Sequence, residues 1–183
     1  ASKISAEQLC IAYNRSFALP VTILRPFNVF GPRQSTRAII PTIIGQYMKN
    51  QEVLNLGLMT PTRDFNYVED TIEAFYKCIN AKNISGEIIN IGTGKEFSIK
   101  VVADLIANYF GKKIKVKLEK KRIRPSQSEV LRLCSSTEKS RKILNWKSSI
   151  RSKNHLKIKL YKTIEWYLKN ENLIKNNFKE YQI

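Results

Sequence analysis

Apolar residues recur with two different periods along this 183-residue chain, and the switches between them mark out its elements. Over residues 2–18 the apolar positions Ile4, Leu9, Ile11, Ala12 and Phe17 form an imperfect helical face, and Pro20 stops it. "VTILRP" (21–26) is a short β-branched run that reads as a buried parallel strand, ended by Pro26. "FNVFGPRQST" reads as a loop punctuated by Gly and Pro. A helix is expected over 37–51, with Pro41 in its first turn, where a missing N–H costs little. Residues 53–57 read as a strand, "TPTRDFNYV" as a loop or short extended piece, and 69–80 as an amphipathic helix.

The second half repeats the alternation. "GEIINIGT" (86–93) reads as another buried strand. Ser98 caps a helix that runs to Tyr109 and ends at Gly111. "KIKVKLE" (113–119) alternates like a half-exposed strand, and 122–133 reads as a loop leading into a short strand. Ser136 or Thr137 caps a helix over 138–146. A last helix over 154–170 carries Leu156, Leu160, Ile164, Trp166 and Tyr167, and a polar tail follows. Strands alternating with helices predict an α/β domain. No strand runs into a GxGxxG turn. "NIGTG" (90–94) is the nearest approach, and its glycines are expected to turn the chain rather than to cradle a phosphate.

Charge changes the picture in one respect. The net charge is +17, and residues 112–183 hold 21 basic and 6 acidic residues, hence +15 of it. Such asymmetry raises the possibility of a nucleic-acid-binding module. The lysines are scattered among Asn, Ser and Ile, however, with no stacking-aromatic motif, so a solvated basic surface is the expectation. No apolar run approaches the roughly 18 residues of a membrane span. Cys10, Cys78 and Cys134 stand far apart in apolar contexts and read as reduced core thiols of a cytoplasmic protein. His155 is the only histidine, and no metal site is expected.

Ordered motifs then add a family. "ASKISAE" (1–7) resembles the end of the Tyr-x-x-x-Lys helix of the extended short-chain dehydrogenase/reductase family, the NAD-dependent nucleotide-sugar epimerases and dehydratases. "RPFNVFGPRQSTRAIIPTII" (25–44), "PTRDFNYVEDT" (61–71), "NIGTGKEFSI" (90–99), "RIRPSQSEVLRL" (122–133) and "STEKSRKILNWK" (136–147) follow in the family's order. Their form is most similar to the N-acetylhexosamine-nucleotide 4,6-dehydratases of legionaminic-acid-type synthesis. Ser136 replaces the usual Asp of the closing motif, and residues 148–156 lack the usual Pro and acidic residues.

The resemblance implies the C-terminal part of a Rossmann-type parallel sheet joined to a smaller α/β substrate-binding domain. Residues 1–35 would end the NAD-binding domain, 36–170 would mainly bind the nucleotide sugar, with 69–93 returning to the Rossmann sheet, and 171–183 would be a polar tail. It also implies a fragment. The catalytic Tyr would lie two residues before Ala1, and the dinucleotide loop and the acid/base cluster further upstream, so the chain alone would be inactive. Lys3 would hold the nicotinamide ribose of NAD, in preference to NADP, and lower the pKa of that Tyr. Pro26 and Phe27 would line the nicotinamide side. Asn28, Arg37, Arg63, Arg124 and Glu129 would bind the substrate, with Arg63 and Arg124 on its diphosphate and Glu129 on its ribose. Tyr67, Asp64 and Asp70 are expected to be structural. The intact enzyme would be a homodimer through the Tyr-x-x-x-Lys helix, binding neither nucleic acid nor membrane. A 4-epimerase is the alternative within the same family.

Overall fold

The computed structural model describes residues 1–123 and 125–174. In chain order, α1 is Ser2–Phe17, β1 Ile23–Pro26, β2 Asn28–Phe30, α2 Ile39–Met48, β3 Leu54–Leu56, β4 Thr62–Arg63 and β5 Phe65–Tyr67. Then come α3 Val68–Asn80, β6 Ile88–Ile91, β7 Phe97–Ser98, α4 Ile99–Tyr109, β8 Val116–Leu118, β9 Arg132–Leu133, α5 Glu138–Leu144, α6 Lys153–Lys169 and α7 Glu171–Ile174.

The strands associate in small groups, and parallel pairing dominates. β1 pairs with β6, β2 with β5 and β3 with β8, all parallel. β4 lies between β9, parallel, and β7, antiparallel. The segment expected to be a loop over 27–36 contains β2. Phe30 faces the core there and packs against the rings of Phe65 and Tyr67. Three residues are too few to show a period, so this strand is set by its partner 37 residues away.

Two apolar clusters form the interior. The larger gathers α2, α4 and α6 around Phe30, Leu54, Leu56, Phe65 and Tyr67. α2 is buried almost all round, from Ile40 to Gly45 and again at Tyr47, as its unbroken apolar sequence requires. Pro41 sits in its first turn, where no helical N–H bond is lost. Ser98 caps α4 by accepting from the Val101 N–H at 3.2 Å, and Ser152 caps α6 in the same way from the His155 N–H. α6 buries Leu156, Leu160, Thr163, Ile164 and Tyr167, one face of a helix. The smaller cluster sets β6, α3 and α5 around Trp146, whose indole N–H donates to the Asp70 carbonyl at 3.0 Å.

Four expectations need correction. α1 forms as expected, but its apolar residues face solvent: Leu9 is 62% exposed and Phe17 73%, and no residue of α1 is buried. β8 is exposed along its whole length rather than on one face, because it pairs with β3 alone at an edge. Thr137 stands at the N-cap of α5 without a side-chain capping bond. The cysteines are free thiols, as expected, but each is half-buried rather than in the core. His155 is exposed, and its ring nitrogen Nδ1 lies 3.2 Å from the Ser152 hydroxyl. The polar tail beyond Ile174 lies outside the described residues.

Candidate functional site

The site grows around one buried carboxylate. Asp64 lies between β4 and β5 and is fully buried. It accepts from the Thr93 N–H and hydroxyl at 2.8 Å each, the Gly94 N–H at 3.0 Å, the Ser135 N–H at 3.1 Å and the Ser135 hydroxyl at 2.6 Å. Neutral donors alone surround it, and such convergence is what permits a buried carboxylate. The "NIGTG" turn therefore does aim amides at an anion, but the anion belongs to the protein's own Asp64. Gly94 supplies the left-handed turn that this needs, with φ at 69°. A Cβ on Gly92 would fall 2.8 Å from an Asp64 carboxylate oxygen, so only glycine fits there.

Asp64 fixes the residue before it. Arg63 projects from the end of β4 and donates through Nη1 to the carbonyls of Thr62 at 2.8 Å and Val130 at 2.6 Å. Its Nη2 meets Glu129 Oε1 at 3.0 Å, and both side chains are mostly buried, 14% and 11% exposed. A guanidinium has five N–H donors. Three are used here, and the Nε–H and one Nη2–H take no partner among the described residues. On the other side of β4, Glu96 accepts from the Thr62 hydroxyl at 2.7 Å and pairs with Arg132. The Arg63 pair thus ties segment 129–133 to β4, and the Arg132 pair ties it to the residue before β7. Asn28, at the start of β2, donates to the Asp64 carbonyl at 3.3 Å, and its side-chain oxygen takes no partner among the described residues.

The structure therefore brings Asn28, Arg63 and Glu129 into one neighbourhood. Arg37 is exposed on the loop before α2, with its backbone N–H 3.4 Å from the Ser35 hydroxyl, and joins none of them. Arg124 lies outside the described residues. Lys3 is exposed on α1 with no hydrogen bond or ion pair among the described residues. Pro26 is exposed and Phe27 half-buried at the carboxyl end of β1. A bidentate ion pair between Glu7 and Arg25 ties α1 to that strand end, with the Arg25 Nε–H 3.0 and 3.1 Å from the two carboxylate oxygens. Sequence reasoning missed this pair. The signals for it were present: Glu7 is the only acid in α1, and Arg25 directly precedes Pro26. Tyr67 and Asp70 are structural here. Asp70 is buried and accepts from the Ser148 hydroxyl at 2.7 Å and the Ser149 N–H at 2.8 Å, and Tyr67 stacks under the Lys159 ammonium at 4.4 Å.

Comparison with known proteins then decides the family. A family model described as GDP-mannose 4,6 dehydratase matches residues 1–158. The chain belongs to that family. Among relatives of this dehydratase-family chain, UDP-glucuronate 4-epimerase of Thermodesulfobacterium geofontis is 28% identical over 177 residues, covering 96% of this chain and 52% of the relative. A solved epimerase from Methanothermobacter thermautotrophicus superposes with a TM-score of 0.84 at 27% identity, covering 96% of this chain and 51% of that one. The dTDP-glucose 4,6-dehydratase of Bacillus anthracis, solved in complex with NAD, gives 0.81 at 27% identity, with 96% and 53% covered. The chain spans about half the length of each. The fold is the α/β, Rossmann-type arrangement of these NAD-dependent epimerases and dehydratases.

The residues present fit a nicotinamide ribose. A free ammonium on α1 can donate to ribose hydroxyls, and an exposed proline beside a half-buried phenyl ring offers an apolar edge at the end of β1. Among the described residues no group of three or more His, Cys, Asp or Glu is placed to hold a metal ion, and no helix is long and apolar enough to cross a membrane.

Proposed function

We propose that this chain is the substrate-binding portion, with the last turn of the catalytic motif, of an NAD-dependent nucleotide-sugar 4,6-dehydratase that acts on a UDP- or GDP-N-acetylhexosamine in surface-glycan synthesis. The Arg63–Glu129 pair carries the reading. It sets a cation held by two backbone carbonyls beside a carboxylate whose second oxygen takes no partner among the described residues.

Arg63 binds the diphosphate through its Nε–H and free Nη2–H. Glu129 keeps one oxygen on Arg63 and turns the other to the nucleotide ribose. Asn28 presents its side-chain oxygen to the hexose, and Arg37 and Arg124 add positive charge along the nucleotide. Residues 36–170 form most of this sugar-binding domain, with 69–93 lying on the cofactor side. Lys3 holds the nicotinamide ribose, and Pro26 and Phe27 line the ring's side of the cleft. NAD, when bound, supplies the hydride acceptor and donor for the C4 oxidation and the later return to C6. Lys3 also favours the phenolate of a Tyr four positions before it in the intact enzyme.

A 4-epimerase is the second reading, favoured by the UDP-glucuronate 4-epimerase relative. A Thr-Asp-Glu cluster in the upstream half marks the dehydratase, and a bare Ser or Thr there marks the epimerase. Calorimetry tests the site in the intact enzyme. Arg63→Ala weakens nucleotide-sugar binding by about 1.5–3 kcal/mol, the scale of a hydrogen bond to a charged group, and leaves NAD affinity unchanged. Weakened NAD with unaltered sugar nucleotide would show that the two sides of the cleft are assigned wrongly.

A further inference from the structure

The ion pair between α1 and the end of β1 contributes little as a stabilising contact. Arg25 is half exposed, and exposed pairs are weak. Its geometry is nevertheless specific. The Arg25 Nε–H bridges both Glu7 oxygens at 3.0 and 3.1 Å, and Nη2 also donates to Oε2. The hydrogen bonds from Arg25 hold the Glu7 carboxyl below its ordinary value.

Glu7 lies four residues after Lys3 on the same helix. Side chains at that spacing are neighbours on one helix face, and a lysine and a glutamate so placed pair with each other. Glu7 is the only acid α1 contains, hence the only carboxylate of its own helix that could neutralise Lys3. Lys3 nevertheless makes no ion pair among the described residues, whereas both Glu7 oxygens point to and accept from Arg25.

We infer that Arg25 is a positioning residue that withholds Glu7 from Lys3 and so keeps the Lys3 ammonium free for a ligand. The same pair pins α1 to the carboxyl end of β1, one helical turn from Lys3 and next to Pro26, Phe27 and Asn28. Four residues rise only about 6 Å along the helix, so anchoring Glu7 fixes the height of Lys3 above that strand end. α1 has few other anchors: Asn14 donates to the Leu19 carbonyl and to the Ser85 hydroxyl, at the far end of the helix from Lys3. The use of the free ammonium rests on the assignment of Lys3 to the cofactor, but the withholding itself does not.

Pulse acetylation of the full chain by an N-hydroxysuccinimide ester, resolved residue by residue by mass spectrometry, reads the freedom of Lys3 directly and involves no nucleotide. Lys147, exposed and unpaired among the described residues, is the internal reference. Arg25→Met releases Glu7 to Lys3 and slows Lys3 acetylation relative to Lys147 by about twofold, the ratio set by a helical i,i+4 pair. Arg25→Met combined with Glu7→Gln restores the parent rate, because the competitor is gone even though α1 has lost the same anchor. An unchanged or faster rate in Arg25→Met, as from a merely loosened helix, overturns the inference, and so does a double variant as slow as the single one. The cofactor assignment is tested separately, by NAD titration of Lys3→Ala in the intact enzyme, and its failure would leave the acetylation result standing.

Discussion

Tyr167 shows how a single buried phenol links α6 to the loop that leads out of β2. Its hydroxyl donates to the Gln34 carbonyl at 2.6 Å, and the Gln34 side-chain N–H donates on to the Val29 carbonyl at 2.7 Å. Burial pushes the Tyr167 phenol up to about 12. Burial also raises Tyr47 and Tyr67. An unfolded tyrosine ionises near about 10. Between those two values the unfolded chain releases a proton that the folded chain keeps. The stability from Tyr167 is therefore complete below pH ~10 and is lost as pH rises to about 12. Thermal melts across that window should show the decline. Tyr167→Phe should lessen it, at a cost near neutral pH of about 1 kcal/mol for the lost hydrogen bond.

At the scale of elements, the turn between β6 and β7 is the clearest case of a backbone shaped for another residue's side chain. A methyl on Gly92 would enter the contact between Ser135 and Asp64. Gly92→Ala should destabilise the chain by roughly 1–3 kcal/mol, as overpacking does, and urea unfolding would measure it. Gly111→Ala is the comparison. That glycine has φ at 65° with nothing within 4 Å of an added Cβ, so only backbone strain of about 1 kcal/mol opposes it. Equal losses at the two positions would show that the Asp64 contact is not tight. The capped and long elements were legible in the sequence, because Ser98, Pro41 and the spacing from Leu156 to Ile164 act within one helix. β9 was legible as the short strand that ends 122–133, and β4 and β5 only as a loop or short extended piece, whereas β2 was not, because it is three residues long and is defined by its partner. The site was legible as residue types. That Glu129 pairs with Arg63, and that Glu7 pairs with Arg25, depends on contacts across 66 and 18 residues that no local pattern encodes.

At the scale of the whole molecule, two helices among the described residues carry bare apolar faces. α1 exposes Ile4, Leu9, Tyr13 and Phe17, and α3 exposes Ile72, Phe75, Tyr76 and Ile79, the last 81% exposed. Both helices flank the paired strands β1 and β6, whereas the larger cluster around α2, α4 and α6 is closed. Contiguous apolar surface of this kind favours association. The isolated chain should show an apparent mass that rises with concentration in light scattering, lessened by charged substitutions at Leu9 and Ile79. A monodisperse monomer with a sharp cooperative melt would contradict this.

Asp64 also sets an order of events in time. Its donors lie 29 residues later at Thr93 and 71 residues later at Ser135. A ribosome adding roughly 5–20 residues per second takes on the order of 4–14 s to travel from the carboxylate to its last partner. Over that interval the nascent chain carries an acid that its own fold cannot yet bury. The setting of Arg63 is therefore completed only once the chain has been made as far as Ser135.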